Sequence, residues 1–221
     1  MDRKKLLKGV IDIHVHAGPS VAARELDAAD MLKEAEAAGY RGFLVKDHYF
    51  PSMMGCQMVQ RHLGSGSVEV FGSMCLNNAM GLFNLNAVDV AYGMGAKMIY
   101  FPTVSSKNHI DAHKGHFAGA GKMSVPETPV VYVDENGRLD PAAVRILEYM
   151  SEKDMALGTG HGSAREVDAL VRKAVEVGMK KILVNHPHFH IGATYEQMRQ
   201  WAALGAYIEL NVCVFSEGSK M

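Results

Sequence analysis

The stretch that decides the fold reads Val10-Ile11-Asp12-Ile13-His14-Val15-His16-Ala17-Gly18-Pro19. Apolar and polar residues alternate along it, which is the pattern of a β-strand with one apolar face and one polar face. An open, doubly wound sheet usually carries a glycine-rich phosphate loop after its first strand, whereas this strand ends in two histidines. The stretch therefore favours a (β/α) barrel, in which functional residues gather at the carboxyl ends of the strands.

Beyond this strand, strand-like and helix-like segments alternate along the chain. Seven runs rich in apolar and β-branched residues predict strands at 10–15, 41–47, 68–76, 96–101, 155–159, 181–185 and 206–214. Alternation of this kind predicts βαβ units and a parallel sheet. We therefore expect an α/β fold, a (β/α)8 TIM-like barrel formed by one domain over residues 1–221.

The length of the chain bears on how much of such a barrel it forms. An irregular stretch from about residue 102 to 135 interrupts the alternation and predicts a long, lid-like insertion. With this stretch set aside, 221 residues are few for eight βα units of ordinary size. We expect a barrel truncated after strand 7, whose open edge is left bare or is covered by a partner chain. A homo-oligomer is one such arrangement.

The composition is that of an ordinary globular domain. Hydrophobic residues make up 48% of the chain, and the formal net charge is -1. A chain without a basic excess lacks the electrostatic footprint of a protein that binds nucleic acid or anionic lipid. Among partners we therefore expect a small-molecule substrate, no nucleic acid and no membrane.

The cysteines and the start of the chain predict the compartment. Cys56, Cys75 and Cys213 lie far apart and form no CxxC pair, which argues against a disulfide framework and for a reducing environment. The basic start lacks the apolar stretch of a signal peptide, and no apolar run approaches the length of a membrane span. The expected location is cytoplasmic.

Histidine is unusually frequent, with 11 in 221 residues. His14 and His16 lie two residues apart on the polar face of the first predicted strand, together with Asp12. Two imidazoles in this arrangement can chelate one metal ion, and Asp12 is expected to orient one of them. The alternative is a hydrogen-bonded pair without a metal, which is disfavoured because a buried histidine pair without a partner is costly to desolvate.

Three other predicted strands also end in histidine. His48, His161 and His186 occupy equivalent positions at the ends of the second, fifth and sixth strands. In a parallel barrel the carboxyl ends of all strands meet at one rim, so residues remote in sequence become neighbours. We therefore predict that His14, His16, His161 and His186 are metal ligands.

The second predicted strand supplies candidate catalytic residues. Lys46 and His48 share one face of this strand, and Asp47 lies on the other. If Lys46 and His48 face inward, they are placed to position a substrate, to protonate it or to stabilise a developing oxyanion. The alternative for Lys46 is a structural pairing with a nearby carboxylate. In the opposite register Asp47 is the candidate ligand.

Further histidines lie in the insertion and after the sixth strand. His109, His113 and His116 are spaced by four and three residues, which puts them on one side of a helical turn. A polar lid is the favoured interpretation, and contact with the substrate or with a second ion is the alternative. His188 and His190 closely follow the sixth strand and are candidates to line the same rim.

With these motifs, the sequence resembles the metal-dependent hydrolases of the amidohydrolase superfamily. An Asp-x-His-x-His first strand marks that superfamily, matched here by Asp12, His14 and His16. Its further ligands end strands five and six, matched by His161 and His186. The resemblance implies a divalent metal cofactor, Zn²⁺ as first choice with Mn, Fe or Ni as alternatives, and a metal-activated water that attacks a C–N or C–O bond.

Within the superfamily, the similarity is greatest to an uncharacterised amidohydrolase-like group with Lys-Asp-His on strand two and Phe-Pro-Thr on strand four. Residues 46–48 and 101–103 match these motifs, and the resemblance runs from about residue 10 to the end of the chain. Many members carry a bridging lysine or glutamate on strand four, where this sequence offers only Lys97, at the opposite end. This difference favours one ion over a bridged pair. The aspartate that ends strand eight in the superfamily has no counterpart.

The sequence also resembles the polymerase-and-histidinol-phosphatase type of phosphoesterase, a seven-stranded distorted barrel that begins with His-x-His. That type often carries Asp-His after strand two, as at residues 47–48, and its strand near the end is similar to residues 206–211. Its closing Asp-x-His pair is absent here. A mononuclear metal-dependent decarboxylase and a non-catalytic metal-binding domain are two further alternatives. The principal expectation is a hydrolase of amide, ester or lactone-like bonds in a small molecule.

Overall fold

A computed structural model describes residues 3–114 and 120–212 of the chain, with only the backbone of residues 3 and 4. Within these residues the strands are β1 (Ile11–Val15), β2 (Gly42–Val45), β3 (Glu69–Cys75), β4 (Met98–Tyr100), β5 (Ala156–Gly158), β6 (Ile182–Val184) and β7 (Tyr207–Ile208). The helices are α1 (Arg3–Leu7), α2 (Ala28–Ala38), α3 (Met53–Leu63), α4 (Leu85–Gly93), α5 (Lys107–His113), α6 (Pro141–Glu152), α7 (Ala164–Glu176) and α8 (Tyr195–Ala203).

The strands follow one another in the sheet in the order in which they follow one another in the chain, from β1 to β7. β1 pairs in parallel with β2 and β2 with β3, as β5 does with β6 and β6 with β7. The prediction of an α/β fold with a parallel, seven-stranded and TIM-like arrangement is confirmed. The finer prediction, a barrel of the metal-dependent hydrolase type, stays a prediction.

Capping side chains explain where several of the helices begin and end. Asp27 accepts hydrogen bonds from two backbone N–H groups at the start of α2, and Gly39 ends that helix in the left-handed conformation. Ser163 and Thr194 each form a capping box, at the starts of α7 and α8. Because such caps satisfy the exposed N–H groups of a first turn, they fix the length of the loop between strand and helix.

Residue contacts divide the chain into two compact units. Unit 1 comprises Met1–Cys75, Asn86–Met98 and Phe117–Pro126, and unit 2 comprises Leu76–Leu85, Ile99–His116 and Glu127–Met221. Unit 1 therefore contains α1 to β3 and nearly all of α4. Unit 2 contains most of β4 and all elements from α5 to β7.

Each unit buries apolar side chains of its own. In unit 1, α2 contacts β2 and α3 contacts β3. The buried cluster there comprises Val15, Ala17, Ala28, Leu32, Ala35, Phe43, Val45, Cys56, Val68 and Val70. In unit 2, α6 contacts α7, and the indole of the fully buried Trp201 donates to Asp168 Oδ1 at 3.0 Å. Burial of these side chains stabilises the strands whose ends carry the polar residues.

The segment predicted as a lid-like insertion, residues 102 to 135, contains regular structure in its described part. It contains α5, and isolated bridges join Ser106 to Val130 in parallel and Val133 to Leu139 in antiparallel orientation. The last strand is shorter than predicted, since β7 covers two residues and residues 213–214 lie outside the described part of the chain. None of the helices in residues 3–114 and 120–212 has the length and apolar character needed to cross a bilayer.

Candidate metal centre

Unit 1 brings His14, His16, Lys46 and His48 together at the ends of β1 and β2; we call these four residues the unit 1 cluster. The Lys46 Nζ lies 3.1 Å from His14 Nε2. The ring centroids of His16 and His48 are 4.8 Å apart, and those of His14 and His16 are 5.2 Å apart. Lys46 and His48 therefore share the side of the strands on which His14 and His16 lie, the first of the two registers that the sequence allows.

His16 has the properties of a metal ligand. The backbone of Lys46 forms a hydrogen bond with its ring, and His16 Nδ1 is buried with no hydrogen-bond partner among the described residues. Burial, followed by the positive charge of Lys46, holds the pKa of His16 well below its ordinary value. A neutral imidazole with a buried, unsatisfied nitrogen suits a cation, because coordination would satisfy the nitrogen.

Lys46 and His48 are buried more deeply than the two histidines of β1 and its end. The side chain of Lys46 is fully buried, and that of His48 nearly so. Burial and then the charge of Lys46 hold the pKa of His48 well below its ordinary value. His48 is therefore neutral near pH 7, so it can accept a proton or orient a substrate by hydrogen bonding.

Two aspartates beside the unit 1 cluster bind backbone groups. Asp12 was predicted to orient an imidazole ring. Its Oδ1 instead accepts from the backbone N–H of His14 at 3.0 Å, and within the described part of the chain Asp12 bonds to no imidazole ring. Asp47 Oδ1 accepts from the backbone N–H groups of Tyr49 at 2.7 Å and Phe50 at 3.0 Å. Each of these carboxylates stabilises a local backbone conformation at a strand end.

In unit 2, a glycine-rich turn positions His161 after β5. Gly160 has φ +70, and a Cβ atom there would lie 2.3 Å from the carbonyl oxygen of Phe101. This close approach allows the backbone N–H of His161 to donate to Pro102 O at 2.9 Å. Asn108 Nδ2 in turn donates to His161 O at 3.0 Å. His161 is thus held by its backbone, which leaves the orientation of its ring to neighbouring side chains.

Those neighbours are histidines. The Nδ1 atoms of His161 and His109 lie 2.9 Å apart, and the ring of His190 stacks on that of His161 with centroids 4.3 Å apart. One ligand nitrogen from each of His109, His161 and His190 lies within 4.8 Å of the others. We call these residues the histidine triad. Around a tetrahedral Zn²⁺ ion, ligand nitrogens are separated by about 3.3 Å, so modest side-chain rotations would close the triad on an ion.

From the sequence, contact of His109 with a second ion was only the alternative, and His190 was a candidate to line the rim. The favoured interpretation placed His109 in a polar lid, whereas α5 buries it against His161. The available signal was the four-residue spacing of His109 and His113, whose ring centroids are 4.4 Å apart. His113 also approaches His190, with Nε2 and Nδ1 separated by 3.3 Å. His116 lies outside the described residues, and the exposed His188 contacts only Phe189 among the described aromatic rings.

His186 follows β6 and is oriented by two residues that follow β7. Its Nδ1 lies 2.7 Å from Asn211 Oδ1 and 3.1 Å from Glu209 Oε2. Both partners accept, so Nδ1 of the ring carries a proton. The backbone of His186 is left-handed with φ 41, and its N–H donates to Glu209 Oε2 at 3.1 Å. A buried carboxylate that ends strand seven thus fixes both backbone and ring of His186.

Replacing Glu209 with glutamine is expected to lower the free energy of unfolding by about 1–3 kcal/mol, because charge-assisted hydrogen bonds are lost. Glu209 Oε2 accepts from His186 and from Asn185 Nδ2, the latter at 3.2 Å. Urea denaturation measures the loss, with Glu148→Gln on the exposed face of α6 as the matched control. An equal midpoint for the two variants would contradict this role.

The four predicted ligands belong to different units: His14 and His16 to unit 1, and His161 and His186 to unit 2. Each pair is in close contact, since the ring centroids of His161 and His186 are 5.3 Å apart. The prediction of one ion held by all four stays a prediction.

A model of a protein family matches residues 9–209, which is most of the chain. The chain belongs to DUF6282, a family of unknown function. Membership covers β1 to β7 and therefore includes the unit 1 cluster, the histidine triad and Glu209. It assigns no activity to them.

Comparison of folds gives a remote similarity. Among curated proteins, no sequence matches the chain. A crystal structure of a Coccidioides immitis protein assigned as a deoxyribose-phosphate aldolase matches 94% of this chain and 73% of its own, with 12% sequence identity and a TM-score of 0.50. At this identity the likeness concerns the fold alone.

Proposed function

We propose that this DUF6282 protein is a metal-dependent hydrolase of the amidohydrolase type. Its substrate would be a small molecule with an amide, ester or lactone-like bond. The observation that carries the proposal is the histidine triad, in which three imidazoles offer ligand nitrogens within 4.8 Å of one another. A site of three histidines suits a divalent ion, Zn²⁺ before Mn, Fe or Ni, and leaves a coordination position open.

When bound, such an ion supplies an activated water and polarises the carbonyl group that is attacked. In unit 2 the protein contributes orientation. The ring of His161 is fixed by stacking on His190 and by its contact with His109 Nδ1. Ligands held in this way lose little rotamer freedom on coordination, which favours binding.

In unit 1, His14 and His16 are the candidate ligands, and Lys46 and His48 are the candidate catalytic residues. The Lys46 ammonium group is fully buried beside His14 Nε2. A buried ammonium stabilises negative charge on a neighbouring oxygen strongly, because little water screens it. Neutral His48 can take a proton at a ring nitrogen and return it to the leaving group.

Metal analysis tests the proposal. The purified chain is expected to hold about one ion. A chelator should remove this ion and abolish hydrolysis of ester, lactone and amide substrates. If the histidine triad is the metal centre, the double variant His109→Ala/His161→Ala should lose metal binding. If the unit 1 cluster is the metal centre, the double variant His14→Ala/His16→Ala should lose it instead. His62→Ala with His188→Ala, two exposed histidines of units 1 and 2, is the matched control and should keep the metal.

The outcomes separate the hydrolase from its rivals. Equal metal content in all three double variants would overturn the metal centre. Bound metal without turnover would favour a non-catalytic domain. Release of phosphate from monoesters would favour the phosphoesterase, and release of CO₂ would favour the decarboxylase.

A further inference from the structure

Arg24 lies in unit 1, in the loop that connects β1 to α2. This loop begins at His16, at the end of β1. Both ends of this loop are fixed, because Gly18 N donates to Leu26 O at 2.8 Å and Ala28 N donates to Gly18 O at 3.2 Å. Its outer part is held as well, since Lys122 N donates to Val21 O at 3.4 Å. The loop is therefore a preformed structure that carries Arg24 at a defined position.

Two nitrogens of the Arg24 guanidinium group are buried and have no acceptor among the described residues. They are Nε and Nη2, and both are inaccessible to solvent. These two nitrogens lie on the same edge of the guanidinium plane, and together they form a fork that fits the two oxygens of a carboxylate or phosphate group. A buried charge with two unsatisfied donors is costly, which points to an anion as the missing partner.

The nearby carboxylates do not supply that anion. Asp12 and Asp27 each accept from backbone N–H groups, and neither pairs with Arg24. Asp47 Oδ1 also accepts from backbone N–H groups, and its Oδ2 has no hydrogen-bond partner among the described residues. No ion pair of Arg24 occurs in the described part of the chain.

Positive charge accumulates beside the unit 1 cluster. The charges of Arg24 and Lys46 both act on the rings of His16 and His48. Arg24 is therefore close enough to these rings for its charge to matter there. Two cations beside two histidines create a positive potential that favours an anionic ligand.

We propose that Arg24 binds an oxyanion of the substrate, a carboxylate or phosphate group, through the fork of Nε and Nη2. The inference rests on the proposed function in one respect, that the oxyanion belongs to the molecule that is hydrolysed. It narrows the substrate class to anionic amides, esters or lactones. Arg24 is then a specificity-determining residue, because a neutral substrate would leave its guanidinium unsatisfied.

The test measures binding of two simple anions, inorganic phosphate and propionate, to the full chain by calorimetry, both as purified and after chelation. We expect the wild type to bind at least one of these anions both as purified and after chelation. The anion that binds shows whether the site takes a phosphate or a carboxylate group. Arg24→Met should weaken that binding at least tenfold. Arg24→Lys, which keeps the charge but lacks the fork, should weaken it severalfold. Arg61→Met on the exposed face of α3 is the matched control and should bind as the wild type does.

Thermal denaturation separates binding from a structural role. In buffer free of these anions, Arg24→Met should melt at or above the temperature of the wild type, because it removes an unsatisfied buried charge. On addition of the anion, the wild type and Arg61→Met should gain the most stability, Arg24→Lys less, and Arg24→Met the least. A lower melting temperature of Arg24→Met in every buffer, or unchanged anion binding by that variant, would overturn the proposal. So would absence of binding by the wild type.

Failure of the hydrolase proposal has a different signature. Anion binding is measured as heat, without turnover and without metal. Loss of anion binding in Arg24→Met, in a protein that hydrolyses no ester, lactone or amide, would support the oxyanion site and contradict the hydrolase. Hydrolysis that is equally fast with neutral and anionic substrates would support the hydrolase and overturn the role of Arg24.

Discussion

Replacing Gly160 with alanine is expected to lower the free energy of unfolding by about 2–4 kcal/mol more than the same replacement at Gly192. Both glycines are left-handed, with φ +70 and φ +67, so the strain of placing a side chain on such a backbone is common to both. They differ in what a Cβ atom would meet. At Gly160 it would lie 2.3 Å from Phe101 O and 2.5 Å from Pro102 O, whereas at Gly192 nothing lies within 4 Å.

The clash at Gly160 is with backbone atoms, which cannot rotate away as a side chain can. Relief would require the turn after β5 to move away from the end of β4. The hydrogen bond from His161 N to Pro102 O would then break, and His161 would leave its position against His109. Gly160→Ala should therefore lose both stability and the histidine triad.

Urea denaturation of the two variants measures the difference in stability, and metal content reports on the histidine triad. Gly192→Ala is expected to keep its metal and to show the smaller cost of left-handed strain alone, about 1 kcal/mol. Equal destabilisation by the two substitutions would show that the turn at Gly160 is free to relax, contrary to the packing described above.

The strand ends could be predicted because they depend on local patterns. The alternation around His14 and His16 specifies a strand whatever its neighbours are, and the runs before His161 and His186 do the same. The glycines of the Gly-Thr-Gly-His-Gly turn mark a close backbone approach, although the sequence does not say to which segment. For this reason the fold, and the four histidines that follow strands, could be read from the sequence.

The histidine triad could not be predicted, because its members come from three distant segments. His109 and His161 are 52 residues apart, and their contact depends on how the segment after β4 folds back over the end of β5. Glu209 could not be predicted as the partner of His186 for the same reason. Arg24 lies outside any strand or helix, so no periodicity indicates that its guanidinium is buried. Loop conformation is decided by tertiary contacts, which local propensity does not encode.

Lowering the pH from about 7.5 to about 5.5 should reduce the free energy of unfolding of the metal-free protein by about 2–3 kcal/mol through His16 and His48 alone. Both have a pKa well below the ordinary value in the folded protein, with burial as the main cause. In the unfolded chain each titrates near pH 6.5. Below that pH the unfolded state therefore binds more protons than the folded state, and the equilibrium shifts towards unfolding.

The sign follows from the direction of the shift. A histidine with a lowered pKa contributes its full stability above about pH 6.5 and loses about 1.4 kcal/mol per pH unit below it, until the folded pKa is reached. Chelator must be present, because a metal ion would hold the rings neutral and hide the effect. Urea denaturation at several pH values gives the slope.

The variant His48→Gln assigns the effect to a residue. It removes one titrating group and should therefore lessen the loss of stability at pH 5.5 by about 1 kcal/mol relative to the wild type. His62→Gln, on the exposed face of α3, is the matched control and should retain the slope of the wild type. If His48→Gln showed that same slope, His48 would be accessible to protons in the folded state. The assignment of His48 as a buried, neutral imidazole would then be wrong, and its proposed role in proton transfer depends on that assignment.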